Sequence, residues 1–120
     1  MIRNIAFVAL GGAVGSVVRY ITSQLISFKK FPLSTFTVNI IGSFLIGILM
    51  GYISKQMNAQ NWQLLLVTGF CGGFTTFSAF SWEIVLMLQQ QRYANAFLYI
   101  AATLILGIGF TFIGFRMTTV

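Results

Sequence analysis

Four long apolar runs, at residues 5–26, 33–53, 62–88 and 94–115, fix the solvent this chain can fold in. Each supplies the ~20 predominantly apolar residues that a helix needs to cross hydrocarbon. The connections SFKKFP, SKQMNAQN and QQQRY are too short to hold a further domain. Charged residues make up 7% of the 120 residues, against about 25% in an ordinary soluble domain. A chain this short cannot hide a 58% hydrophobic content inside itself. The expectation is an all-α membrane protein, one domain over residues 1–120, crossing the lipid bilayer four times. Pro32 suits the start of the second helix. The first run follows no weighty basic stretch, and no A-x-A site precedes Arg19, so it reads as a retained helix and not a cleaved leader.

The formal net charge of +6 does not indicate nucleic acid. The basic residues stand singly at the ends of apolar runs, except for Lys29-Lys30. That is loop-flanking charge and not a stripe that tracks phosphates. Four spans put both termini on one side, with Arg3, Lys55 and Arg116. Lys29, Lys30 and Arg92 lie on the other, and Arg19 lies near that end of the first helix. Orientation follows a Lys/Arg excess, and here the two sides nearly balance. The balance predicts insertion in both orientations and pairing as an antiparallel homodimer, an intermolecular version of the inverted repeats inside larger transporters.

Side-chain chemistry is scarce. There is no His, Cys71 is the single cysteine and Glu83 the single acidic residue. No zinc or transition-metal cluster and no catalytic pair can be built from that set. The expectation is therefore that the chain is not an enzyme. Cys71 reads as a small buried apolar residue. The spacings Gly11/Gly15, Gly47/Gly51 and Gly69/Gly73 suit close helix packing.

Polar groups inside a membrane span are costly and often functional. Thr35, Asn39 and Ser43 recur every fourth residue on one side of the second helix. Tyr99, Thr103 and Thr111 recur likewise on the fourth, with Gly107 at the missing step. Neutral groups of this kind commonly bond between helices, but two full-length stripes favour a polar path. Arg19 can snorkel to the headgroups, hold an anion entrance or pair with Glu83, and the sequence leaves all three open.

In the third run, Gly72-Gly73 followed by Thr75-Thr76 is poor helix-forming material and predicts a break. Irregular backbone at that depth must be buried in protein or line a cavity, and freed carbonyls there can coordinate a small cation. Phe77 and Phe80 lie one turn apart beyond the break. Their ring edges carry positive potential that can face an anion, although two Phe at this spacing can equally be core. Ser78 and Ser81 add hydroxyls nearby. Glu83 can serve as a proton relay, a cation ligand or a hydrogen-bond partner.

The stretches GGFTTFSAFSWE, TFTVNIIGS and GGAVGSVVRY closely resemble, in order and spacing, those of the Fluc or CrcB family of microbial fluoride channels. The resemblance covers essentially the whole chain. It implies an antiparallel dual-topology homodimer with two pores in the inner membrane of a bacterium, exporting fluoride passively and selectively from the cytoplasm. It also implies a structural sodium ion at the dimer centre, held by the backbone carbonyls of Gly72 and Thr75 from both copies. By the same resemblance Phe77 and Phe80 line the fluoride path. Asn39 is its pore amide and Ser78 the hydroxyl beside the Phe pair. Tyr99, Thr103 and Thr111 form the polar track, and Arg19 and Glu83 fall on further polar positions. Two residues depart from the family pattern. Ala79 stands where some relatives carry a hydroxyl. Gly107 interrupts the track where a Ser can occur, so that a water or a backbone group has to serve there. A small dual-topology multidrug exporter would share the size and charge balance, but it resembles its kin in needing a carboxylate in the first helix, which this chain lacks. A membrane subunit that only packs against a partner would not need two polar stripes.

Overall fold

The computed structural model describes residues 1–27 and 30–119, and Lys29, one of the charges weighed above, lies outside them. Helices occupy Ile2–Leu25, Leu33–Ile53 and Tyr93–Thr119, and the third span covers Gln60–Gln89. All four spans are long and apolar enough to cross a membrane. No strand occurs among the described residues. The second helix starts directly after Pro32, whose φ of −76° is already near helical, and Phe36 N–H closes on the Pro32 carbonyl at 3.1 Å.

The third span is not one regular helix. It is α-helical over Gln60–Trp62, π-helical over Gln63–Cys71 and α-helical again over Gly72–Phe74. Thr75 and Thr76 are then extended, with ψ of 157° and 115°, and an α-helix resumes at Phe77–Gln89. The break therefore falls at the end of the stretch that the sequence marked. Gly72 and Gly73 are helical, and the two threonines carry the extended backbone. Gly73 is small for a packing reason: a Cβ there would come within 2.6 Å of the Gly12 carbonyl oxygen. Thr76 caps the resumed helix, its Oγ1 accepting from Ala79 N–H at 3.2 Å.

Two helix pairs make the body. The first helix lies along the leading half of the third span, and the second along the fourth. Both seams are glycine-lined, as the small-residue spacings suggested. A Cβ at Gly11 or Gly15 would overlap the carbonyls of Leu65 or Phe70, and one at Gly47 that of Thr111. Without Cβ atoms the backbones approach closely, which is how helices gain packing where water supplies no hydrophobic drive between them. The trailing half of the third span packs on the fourth helix. There Phe80, Met87, Ala96 and Tyr99 form a buried cluster flanked by Phe31 and Phe36. Tyr99 meets Phe80 edge-on at 4.9 Å and Phe31 edge-on at 5.1 Å. Leu10, Val14, Val17, Ile105, Ile108 and Phe112 face outward, an apolar exterior suited to lipid.

Candidate ion pathway

Asn39 organises the break. Its Oδ1 accepts from Thr76 N–H at 2.9 Å and its Nδ2 donates to the Thr76 carbonyl at 3.2 Å. One side-chain amide thus meets both backbone polar groups of Thr76. This redirection has a consequence upstream. In a continuous helix, Thr76 N–H would close on the Gly72 carbonyl and Ala79 N–H on that of Thr75. The first now goes to Asn39 and the second to the Thr76 hydroxyl. The Gly72 and Thr75 carbonyls have lost their helical donors, while that of Gly73 is taken by Arg19 Nε at 3.1 Å. Of these three carbonyls, that of Gly73 is bonded by a side chain, and the two that the family resemblance names as cation ligands receive no hydrogen bond among the described residues. Thr76 itself is a site residue that the stripes did not single out; a hydroxyl residue just ahead of a helix start was the available signal.

Arg19 points inward to the break and does not pair with Glu83. The Glu83 carboxylate oxygens accept from Thr35 Oγ1 at 2.7 Å and from Tyr99 OH at 2.8 Å. The three come from three different spans, so the one acidic side chain ties the second helix, the third span and the fourth helix together. Of the roles left open for it, hydrogen-bond partner is the one this geometry fills.

Between the second and fourth helices runs an open trough of two adjoining grooves, about 600 and 510 Å³. Ser43, Ile46, Thr103 and Leu104 line both. The groove nearer the break also takes in Asn39, Thr75, Thr76, Phe77 and Phe80, and the other takes in Gly107 and Thr111. Eight of the sequence-predicted residues thus share one surface: Asn39, Ser43, Gly72, Thr75, Phe77, Phe80, Thr103 and Thr111. The Phe pair divides there. Phe80 is 7% exposed within the aromatic cluster, whereas Phe77 is 78% exposed, with ring centroids 5.9 Å apart. Thr103 Oγ1 is buried with no hydrogen-bond partner among the described residues, a condition that normally marks a place for a ligand or water. Thr111 differs, since its hydroxyl donates to the carbonyls of Ser43 at 3.0 Å and Gly107 at 2.9 Å. Ser78 Oγ lies 3.2 Å from Thr76 Oγ1 at the exposed end of the break. Tyr99, Thr35 and Glu83 sit apart from the trough, joined to one another. Ser81 is half-buried on the trailing half of the third span and makes no side-chain hydrogen bond among the described residues.

The surface is largely apolar, carries neutral hydroxyl and amide groups and two Phe rings, and has no cation among its lining residues. Such a lining can replace the water of a small ion without holding it too firmly to leave.

Comparison with known proteins agrees with this chemistry. A protein of Flavobacterium psychrophilum named Fluoride-specific ion channel FluC is 44% identical over 116 residues, covering 93% of this chain and 94% of its own. Proteins of the same name from Campylobacter fetus and Gloeothece citriformis are 45% and 47% identical, over 98% and 92% of this chain and 94% and 93% of theirs. The family described as CrcB-like protein, Camphor Resistance (CrcB), matches residues 6–115. The chain belongs to this family, the Fluc or CrcB family that its motifs resemble.

Proposed function

We propose that this protein is a fluoride-selective channel through which fluoride leaves the cytoplasm passively, in the inner membrane of a bacterium. The observation that carries this reading is near-full-length similarity, at more than two-fifths identity, to proteins named fluoride-specific ion channels. The trough supports it. Fluoride is small and strongly hydrated, and the Asn39 amide and Thr103 hydroxyl are donors able to replace its water. The edges of Phe77 and Phe80 add weak positive potential.

The working unit is an antiparallel homodimer with two pores. The near balance of basic residues across the spans supports dual insertion, and the exposed Phe77 ring supports a second copy over the trough. A sodium ion is held at the dimer centre. The open Gly72 and Thr75 carbonyls fit it, being neutral oxygens of the kind hard cations take. Two oxygens do not fill the shell of such an ion, so each copy has to contribute its pair.

The test is efflux from liposomes loaded with fluoride or chloride and reconstituted with purified protein. Fluoride should leave through the protein and chloride should not. Fluoride release no faster than from empty liposomes overturns the reading. Phe77→Ile keeps bulk but removes the ring edge, and it should slow fluoride release at least several-fold; undiminished flux would remove Phe77 from the pathway.

A further inference from the structure

The fourth helix lacks a hydroxyl at Gly107, one turn from Thr103 on one side and Thr111 on the other. Thr111 does not compensate, because its proton is directed at the Ser43 and Gly107 carbonyls. An anion moving along this helix would meet a free donor at Thr103 and then none for two turns. The second helix fills that gap. A Cβ at Gly107 would lie 3.6 Å from Ser43 Oγ, and no other atom from outside its own helix would come within 4 Å. Ser43 thus stands directly over the bare position. Its carbonyl is used by Thr111, but its hydroxyl makes no hydrogen bond among the described residues, not even the bond to the carbonyl four residues back that a helical Ser often makes. Ser43 also lines both grooves of the trough, at their junction. A half-buried donor with no partner, facing a cavity next to a residue without a side chain, is positioned for something inside that cavity.

We propose that Ser43 supplies the anion-facing hydroxyl at the level of Gly107, so that the conducting donors cross from the fourth helix to the second. The ion passes Asn39, Thr103 and Ser43, and Gly107 is bare so that the Ser43 hydroxyl can be reached. Neither a water nor a backbone group is needed at that step. The proposal rests on the fluoride-channel reading and makes Ser43 and position 107 interchangeable sites for one hydroxyl.

Flux of the unaltered protein is measured first; its absence defeats the channel reading, whereas the variants address only Ser43. Ser43→Ala should slow fluoride efflux about tenfold, the scale of one lost hydrogen bond to a charged group. Adding Gly107→Ser to Ser43→Ala should restore most of that loss, because the new hydroxyl starts from a Cβ adjacent to the old one. Efflux through Ser43→Ala at the unaltered rate, or a double variant no faster than Ser43→Ala, overturns the proposal. Ser43→Cys in a Cys71→Ala background provides an arm that does not depend on the stability of Ser43→Ala. The thiol is a weak donor, so flux should be intermediate, and silver ion should abolish it by binding the thiol in the path. Silver-insensitive flux in that variant, measured against Cys71→Ala alone, overturns the proposal as well.

Discussion

Gln91 carries a left-handed backbone, with φ of 58°, just past the trailing half of the third span. Arg92 N–H reaches back to the Met87 carbonyl at 2.8 Å, the closure that ends many helices and that favours glycine at the left-handed position. A side chain there costs roughly 1 kcal/mol relative to glycine. Gln91→Gly should therefore raise the unfolding free energy by about 1 kcal/mol, read from reversible denaturation in detergent, with fluoride flux unchanged. The sequence did not mark this residue, because QQQRY reads only as a polar connection. Other residue-scale features were legible. Period-four spacing put Asn39, Ser43, Thr103 and Thr111 on faces that do meet in one trough. Partner choice was not legible. Arg19 takes the Gly73 carbonyl, and Glu83 takes Thr35 and Tyr99, since such pairings depend on how each helix is rotated about its axis, which one-dimensional spacing does not carry.

At the scale of elements, existence was easier to read than interior geometry. Length and apolarity identified four spans, and Pro32 marked one start. The break was anticipated over Gly72-Gly73 and Thr75-Thr76, and it falls on the threonines, while both glycines stay helical and Gly73 is a packing position. Helix propensity penalises Gly wherever it occurs, and so it cannot distinguish a glycine that loosens a helix from one that lets another backbone approach. The π-helical stretch Gln63–Cys71 had no sequence signal at all. The packing role of glycine divides two substitutions sharply. Gly47→Ala puts a methyl onto the Thr111 carbonyl on the seam of the second and fourth helices, and overpacking of this kind costs about 1–3 kcal/mol. It should lower the thermal midpoint and narrow the trough, reducing flux. Gly109 has nothing within 4 Å of a Cβ. Gly109→Ala should leave stability equal or raise it by up to about 1 kcal/mol through helix propensity. A large loss at Gly109 would instead place that residue against a second copy.

For the whole molecule the decisive quantity is charge balance across the bilayer. Arg3, Lys55 and Arg116 oppose Lys30 and Arg92, with Lys29 and Arg19 on the latter side. Lys/Arg bias sets orientation, so two or three added lysines in the connection at 54–59 should force every chain one way, and two or three at 90–92 the other way. The proposed dimer needs one of each. Its candidate cation ligands come as two open carbonyls per chain, and its Phe77 ring reaches outward from the fold. Chains locked in a single orientation should therefore reconstitute with little fluoride efflux, and co-expression of the two locked forms should restore it. Efflux at the unaltered rate from one locked form alone would mean that antiparallel pairing is not required. Efflux only from the mixture would tie conduction to the pair.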